Sequence, residues 1–327
     1  MRAKGHWVGT TCTWWHPGGP SGVLIAPPLG YDYFSAHATL KILADNLAKR
    51  GFTVMRFDYD GTGDSAGEAW DKDRLESWRK SIRDALEAMR AAGCTSVCVV
   101  GLRFGATLAL ELEGVDAVVA WAPVLTGKRW MRELRMLGIP TKFPGFVLGG
   151  TVFSEETVAS IAGVTASQTP TKRVLLLQRT SAPLAGLQRQ FVDAGIDATL
   201  EDAIGSDGFL DQPAEDAVAP HALIARIVDW LGSSRAGRIE LAPATFTKMK
   251  WRDGSVEERF VEVAGLPGVC GSGQLGKPLV VFLNSGSEVH IGPGRAWVEY
   301  SRALNLAGYP TLRMDWPGWG ENVERPS

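Results

Sequence analysis

The chain has 327 residues, 45% of them hydrophobic and 21% charged, with a formal net charge of −2. That is an ordinary globular profile, long enough for a large core or for more than one. The balanced charge gives no electrostatic basis for nucleic-acid or anionic-membrane binding, and no apolar run reaches the ~18 residues of a membrane span.

The N-terminus lacks an apolar signal-peptide core. Four cysteines (Cys12, Cys94, Cys98, Cys270) form no Cys-x-x-Cys pair. Cys94 and Cys98 flank or enter an apolar strand and read as buried, inert thiols, so a reducing cytoplasm is the expected location. Met1 to Pro20, with three tryptophans and a Pro-Gly-Gly-Pro turn, reads as an edge strand or hairpin. Gly22 to Ala26 is a continuous apolar run stopped by Pro27-Pro28, which suits a strand buried on both faces. Leu40, Leu43 and Leu47 share one face of a helix predicted over Ser35 to Lys49, with Gly51 as its C-cap. Phe52 to Asp58 is the next strand, followed by the tight loop Gly61-Thr62-Gly63-Asp64-Ser65. Gly-x-Gly alone is weak evidence for phosphate binding, and Asp64 would repel a phosphate. The loop therefore reads as a structural turn helped by Asp58, with Asp64 or Ser65 capping the following helix. That helix is predicted over Asp71 to Ala92, from Leu75, Trp78, Ile82, Leu86 and Met89 at three- and four-residue spacing.

Val97 to Leu110 reads as a buried strand, a sharp turn and a helix start, and Ala117 to Ala122 as another buried strand. Strands and helices in this alternation predict an α/β class with a doubly wound, mostly parallel sheet. Leu125 to Thr171 breaks the rhythm with a basic amphipathic segment (Lys128, Arg129, Trp130, Arg132, Arg135) and Pro/Gly-rich turns. It is either a lid over the carboxyl ends of the strands or a solvated helix beside the sheet. Alternation resumes at Arg173 to Gln178 and closes with a helix over Ala217 to Leu231. Gly232 to Gly237 reads as a linker, extended to 244 before the next element.

The chain then starts again. Thr245 to Val263 predicts a hairpin turning at Asp253-Gly254. Pro278 to Leu283 has the character of Gly22 to Ala26. Gly308 to Asp315 matches Gly51 to Asp58, and Gly318 to Asn322 matches Gly61 to Ser65, at one displacement (308 − 51 = 315 − 58 = 257). A repeat at domain length predicts tandem homologous domains: residues 1–231, and the N-terminal part of a second copy over 245–327. On this reading the chain stops before an elbow of the second copy. A fragment of a longer protein is expected, or a tail completed by another subunit.

The turn in the first copy is Gly101-Leu102-Arg103-Phe104-Gly105, the frame of a Gly-x-Ser-x-Gly nucleophile elbow without its serine. Arginine stays charged and has no lone pair to offer, so Arg103 cannot act as a nucleophile. Pro27 to Gly67, followed by Gly101 to Leu110, resembles bacterial α/β-hydrolases of the serine-aminopeptidase-like group. The likeness is strongest to hydrolases associated with exosortase systems and their tandem actinobacterial relatives. Asn284 to Leu304 looks like another branch of the same group.

The resemblance implies an α/β-hydrolase fold and a small-molecule ester or acyl substrate, with peptides also open, and no cofactor. It places the acid after the strand that follows the lid, where Arg179-Thr180-Ser181 stands, and the histidine in the loop 206–220, near Glu215. Thr180, Ser181 and Glu215 therefore join Arg103 as degenerate positions, and no catalytic set is intact. His221 follows Pro220 and reads as a surface or capping residue. Leu29, Gly30 and the Phe104 N–H are either an oxyanion-hole-like arrangement or part of a plain strand-to-helix loop. Arg103 is either an anion-binding group or one half of an ion pair with Asp207, Asp211 or Glu215. Two functions follow: a hydrolase or acyltransferase whose chemistry lies in the second copy, helped by Asn284-Ser285-Gly286, or a pseudoenzyme that binds an acidic ligand. A homodimer is the assembly open to either. The five histidines have no metal-ligand spacing.

Overall fold

The computed structural model describes residues 3–210, 212–239, 244–284 and 288–322. The N-terminal hairpin is β1 (Lys4–Val8) and β2 (Thr11–His16), joined through Gly9. The apolar runs then become strands and the amphipathic stretches helices: β3 (Ser21–Ala26), α1 (Tyr31–Lys49), β4 (Thr53–Phe57), α2 (Arg74–Ala91), β5 (Ser96–Leu102), α3 (Phe104–Leu110) and β6 (Ala117–Trp121). The segment that breaks the rhythm holds α4 (Gly127–Leu137), β7 (Ile139–Pro140), β8 (Gly145–Leu148), β9 (Thr151–Ser154) and α5 (Glu155–Ala162). Its small three-stranded antiparallel sheet has no clear alternation in the sequence and was not expected. The run closes with β10 (Arg173–Gln178), α6 (Ala185–Asp193), β11 (Asp197–Asp202), the single turn α7 (Asp207–Leu210) and α8 (His221–Leu231).

These strands make one eight-stranded sheet, ordered β1-β2-β4-β3-β5-β6-β10-β11. The first three pair antiparallel and the rest parallel. Side-chain alternation along β3 shows why both faces are apolar. Val23 and Ile25 join a core under α1 and α8, while Leu24 and Ala26 join a core under α2, α3 and the inserted helices.

A smaller sheet follows, from β12 (Phe246–Trp251), β13 (Gly254–Val263), β14 (Leu266–Gly271), β15 (Val280–Phe282) and β16 (Thr311–Met314), with α9 (Ala296–Leu306) packed on it. The hairpin pairs Trp251 with Gly254, so its turn is Arg252-Asp253, one residue earlier than expected. The order is β12-β13-β14-β16-β15. Within it, β13, β14, β16 and β15 have the order and relative directions of β1, β2, β4 and β3. The stretch 232–239 is not a loose tether: Ser234 Oγ accepts the Ser21 N–H, and the buried Ile239 donates its N–H to the Gly18 carbonyl. The two sheets meet through Trp7 and Trp14 against Met249, Trp251, Val256 and Val269.

Candidate functional site: a filled elbow and a reciprocal clamp

Strand β5 ends at Leu102 and α3 begins at Phe104, so Arg103 carries the whole turn at φ 54°, ψ −122°. A non-glycine residue held there stores about 1–3 kcal/mol of strain. Tight packing enforces the turn. A Cβ on Gly105 would lie 2.2 Å from the Pro27 carbonyl oxygen, and one on Gly101 2.4 Å from the Ala106 Cα. The sharp strand–turn–helix expected at Gly101 to Gly105 is therefore present in the backbone.

The side chain of Arg103 is spoken for. Its Nε donates to Asp32 Oδ2 at 3.2 Å, its Nη1 to the Ala122 carbonyl at 3.4 Å, and the paired side chains are 18% and 17% exposed. This corrects the expected partner. Asp207 is taken by Arg179, Glu215 sits exposed in a turn without an ion pair to Arg103, and Asp211 lies outside the described residues. Asp32 wins by position: it stands in the first turn of α1, where a carboxylate is favoured, and it offsets the cation placed at the N-terminal end of α3. Thr180 and Ser181 are exposed in a tight turn closed by the Ala182 N–H on the Arg179 carbonyl. His221 is exposed at the first position of α8. No described histidine is hydrogen-bonded to the elbow. Leu29 and Gly30 do lie beside it, since the Gly105 contact presses α3 onto the Pro27-Pro28 loop. The Phe104 N–H opens α3, where no intrahelical acceptor exists. The Phe104 ring stacks on Trp130 of α4 at 4.9 Å, which seats the inserted segment directly over the elbow.

Comparison with solved structures decides the architecture. Est1E of Butyrivibrio proteoclasticus, with ferulic acid bound, superposes with a TM-score of 0.52 at 14% identity, over 70% of this chain and 98% of its own. The chain has the α/β-hydrolase fold. The Pyrococcus furiosus esterase Pf2001 (TM-score 0.48, 16% identity, 71% and 90% covered) and XC6422 of Xanthomonas campestris, described as a serine hydrolase without lid (0.45, 16%, 74% and 98%), are also similar. At 14% identity the likeness to Est1E is one of fold. No family model matches the chain, and no curated protein matches its sequence.

The α/β-hydrolase-fold part leaves its most elaborate chemistry away from the elbow, where it meets the small sheet. Arg56 of β4 donates through Nη1 and Nη2 to Glu321 at 2.9 and 2.5 Å. Arg313 of β16 donates to Asp64 at 2.9 Å. Each arginine thus crosses to the acid of the opposite side, and both pairs obey the 257-residue displacement. The reciprocity continues inward. Asp58 accepts the Asp64 N–H and the Tyr33 hydroxyl, and Asp315 accepts the Glu321 N–H and His290 Nδ1. Gly63 and Gly320 both sit at φ 50°, where a Cβ would strike Asp58 or Asp315. One member breaks the symmetry: His290 Nε2 also reaches Asp64, at 2.6 Å. Burial would push this imidazole down, but the carboxylates of Asp315 and Asp64 outweigh it and hold it well above its ordinary value. Asp64 is held low in turn: burial opposes this, and His290 and Arg313 overcome it.

Asp64 therefore does not cap the helix after it, as expected from sequence; α2 starts at Arg74, behind Asp73. Ser65 Oγ instead accepts the Cys12 N–H and donates to the Asp58 carbonyl. Among the described residues, one group, Cys12, Asp58 and Asp64, brings three candidate metal-ligand atoms within 4.8 Å. It fits a metal poorly, because burial pushes the Cys12 thiol well up and both carboxylates already accept hydrogen bonds. Next to the clamp lies a cavity of about 220 Å³, walled by Gly30 and Trp70 on one side and Ile291 and Glu299 on the other. Arg295 also faces it, but its guanidinium is committed to the carbonyls of Gly63, Ser65 and Gly67.

The clamp was missed in the sequence. Its signal is the pair of Arg-x-Asp…Gly-x-Gly-acid strings at 257 residues, which shows equivalence but not that the two strings face each other.

Proposed function

We propose that residues 1–231 form a catalytically silent α/β-hydrolase-fold unit, and that residues from 245 onward belong to a second unit of the same kind which docks on it. The observation that carries this reading is Arg103: it occupies the nucleophile seat, in the strained elbow conformation, with its charge compensated by Asp32. A compensated guanidinium is a poor anchor for an acidic ligand, so the unit serves as a scaffold rather than as an anion-binding module. The reciprocal clamp and the repeated strand order support docking between like units. The motif resemblance favours the serine-aminopeptidase-like branch.

A second reading keeps hydrolysis of a small ester, acyl or peptide substrate, performed by the second unit beside Asn284-Ser285-Gly286. What favours it is the strand order of the small sheet, because an elbow follows β3 and β4 in that order. Ser285 and Gly286 lie outside the described residues. The test is labelling with a fluorophosphonate, together with p-nitrophenyl ester turnover. This chain should show neither above background. A labelled serine whose replacement abolishes the signal would overturn the scaffold reading.

A further inference from the structure

The inserted segment carries an apolar tip that the described residues leave largely exposed. Met136, Leu137, Ile139 and Phe143 are 81%, 72%, 72% and 66% exposed. Single exposed apolar residues are commonplace, but four large ones within eight residues are not. The core is not short of material here, because α4 already buries Trp130 and Met131 beneath the tip. Trp70, half-exposed, meets Phe143 edge to face at 5.5 Å and extends the patch with an amphipathic ring.

On its α4 side the patch is bordered by cations. Lys128, Arg132 and Met136 follow one another at four-residue spacing along α4 and so form one stripe that runs into the tip. Lys142 sits between Ile139 and Phe143. Arg129 and Arg135 are matched by Glu133 and Glu155. Lys128, Arg132 and Lys142 have no carboxylate partner among the described residues.

We infer that this tip docks on an anionic phospholipid surface, with Ile139 and Phe143 entering the headgroup boundary and the three unmatched cations meeting lipid phosphates. Protruding apolar side chains bordered on the α4 side by cations match such an interface on both counts. A second copy of the chain would bring like charges together over the patch and is disfavoured for that reason. The overall charge of −2 hides this local excess.

The test is flotation of the full chain with vesicles of phosphatidylcholine alone and of phosphatidylcholine with phosphatidylglycerol at two to one. Binding is expected to the anionic vesicles and to weaken as salt rises. Arg132→Glu with Lys142→Glu should lower the partition coefficient by at least ~25-fold, taking about fivefold for each cation lost. Ile139→Asp with Phe143→Asp should abolish binding while leaving the melting temperature unchanged, since both side chains are solvent-exposed. The proposal is overturned by absence of binding to anionic vesicles or by equal binding of the Asp variant. It is likewise overturned by a concentration-dependent dimer that the Asp variant loses, which would assign the patch to a second copy.

Discussion

Removing Glu321 tests the clamp most directly. Arg56 and Glu321 are 8% and 2% exposed and share two hydrogen bonds. In Glu321→Ala the guanidinium stays buried on β4 without its carboxylate. His37, 3.2 Å from the same carboxylate, loses its neighbour as well. Breaking a buried pair from one side costs about 3–5 kcal/mol. At 1.4 kcal/mol per decade, that is roughly a hundred- to several-thousandfold in the docking equilibrium. The loss should fall on the contact between the sheets rather than on either core. Urea unfolding followed by tryptophan fluorescence should therefore split into two transitions. Trypsin should cut at the exposed Arg235 and Arg238 and leave a resistant fragment containing the large sheet. Arg56→Met with Glu321→Leu fills the same space without stranding a charge and should come within about 1 kcal/mol of the parent, or above it. If Glu321→Ala costs under ~1 kcal/mol, as an exposed pair would, the clamp does not hold the two sheets together.

Three further outcomes follow from the geometry. Arg103→Gly should be more stable than Arg103→Ala by about 1 kcal/mol in urea midpoints, because both lose the Asp32 pair but only alanine keeps a Cβ at φ 54°. Gly105→Ala should cost more than ~3 kcal/mol, or prevent soluble expression, since backbone oxygens of two residues block its Cβ. The pH profile of the melting temperature should fall on both sides. His290, held above 6.5, contributes fully below that pH, and its contribution is lost as pH rises through the raised native value. Asp64, Asp315 and Glu321 are held below 3.8, 3.8 and 4.5, so their contribution is present above those values and is lost as pH falls through the lowered ones. His290→Gln should flatten the alkaline limb and also weaken the acid limb, because His290 helps to hold Asp64 and Asp315 low; an unchanged alkaline limb would remove His290 from the account.

The large sheet was legible because its central strands are buried on both faces, and Gly22 to Ala26 or Ala117 to Trp121 then leave little besides strand to choose. The elbow was legible because two glycines flank one position under packing that admits nothing larger. Asp32 was not, since its meeting with Arg103 depends on where α1 starts, and that helix begins at Tyr31, four residues before the expected Ser35. The strands β7 to β9 are two to four residues long and take their shape from Phe146 and Phe153 packing at 5.1 Å, a tertiary contact that no local pattern announces. The clamp was hidden for a third reason. Buried arginines and acids look like surface residues in a sequence until the opposing charge is known.

The clamp also differs from a subunit contact in how it can change. Between two identical chains, any altered residue appears on both sides at once and must suit its own mirror image. Here the two sides are encoded separately, 257 residues apart, and each can drift alone. Aspartate stands at 64 where glutamate stands at 321, and tyrosine at 33 where histidine stands at 290. The second exchange is the one that gave His290 its extra bond to Asp64. A contact of this kind can acquire one-sided features, such as a titratable group on a single face, that a symmetric pair could gain only in duplicate.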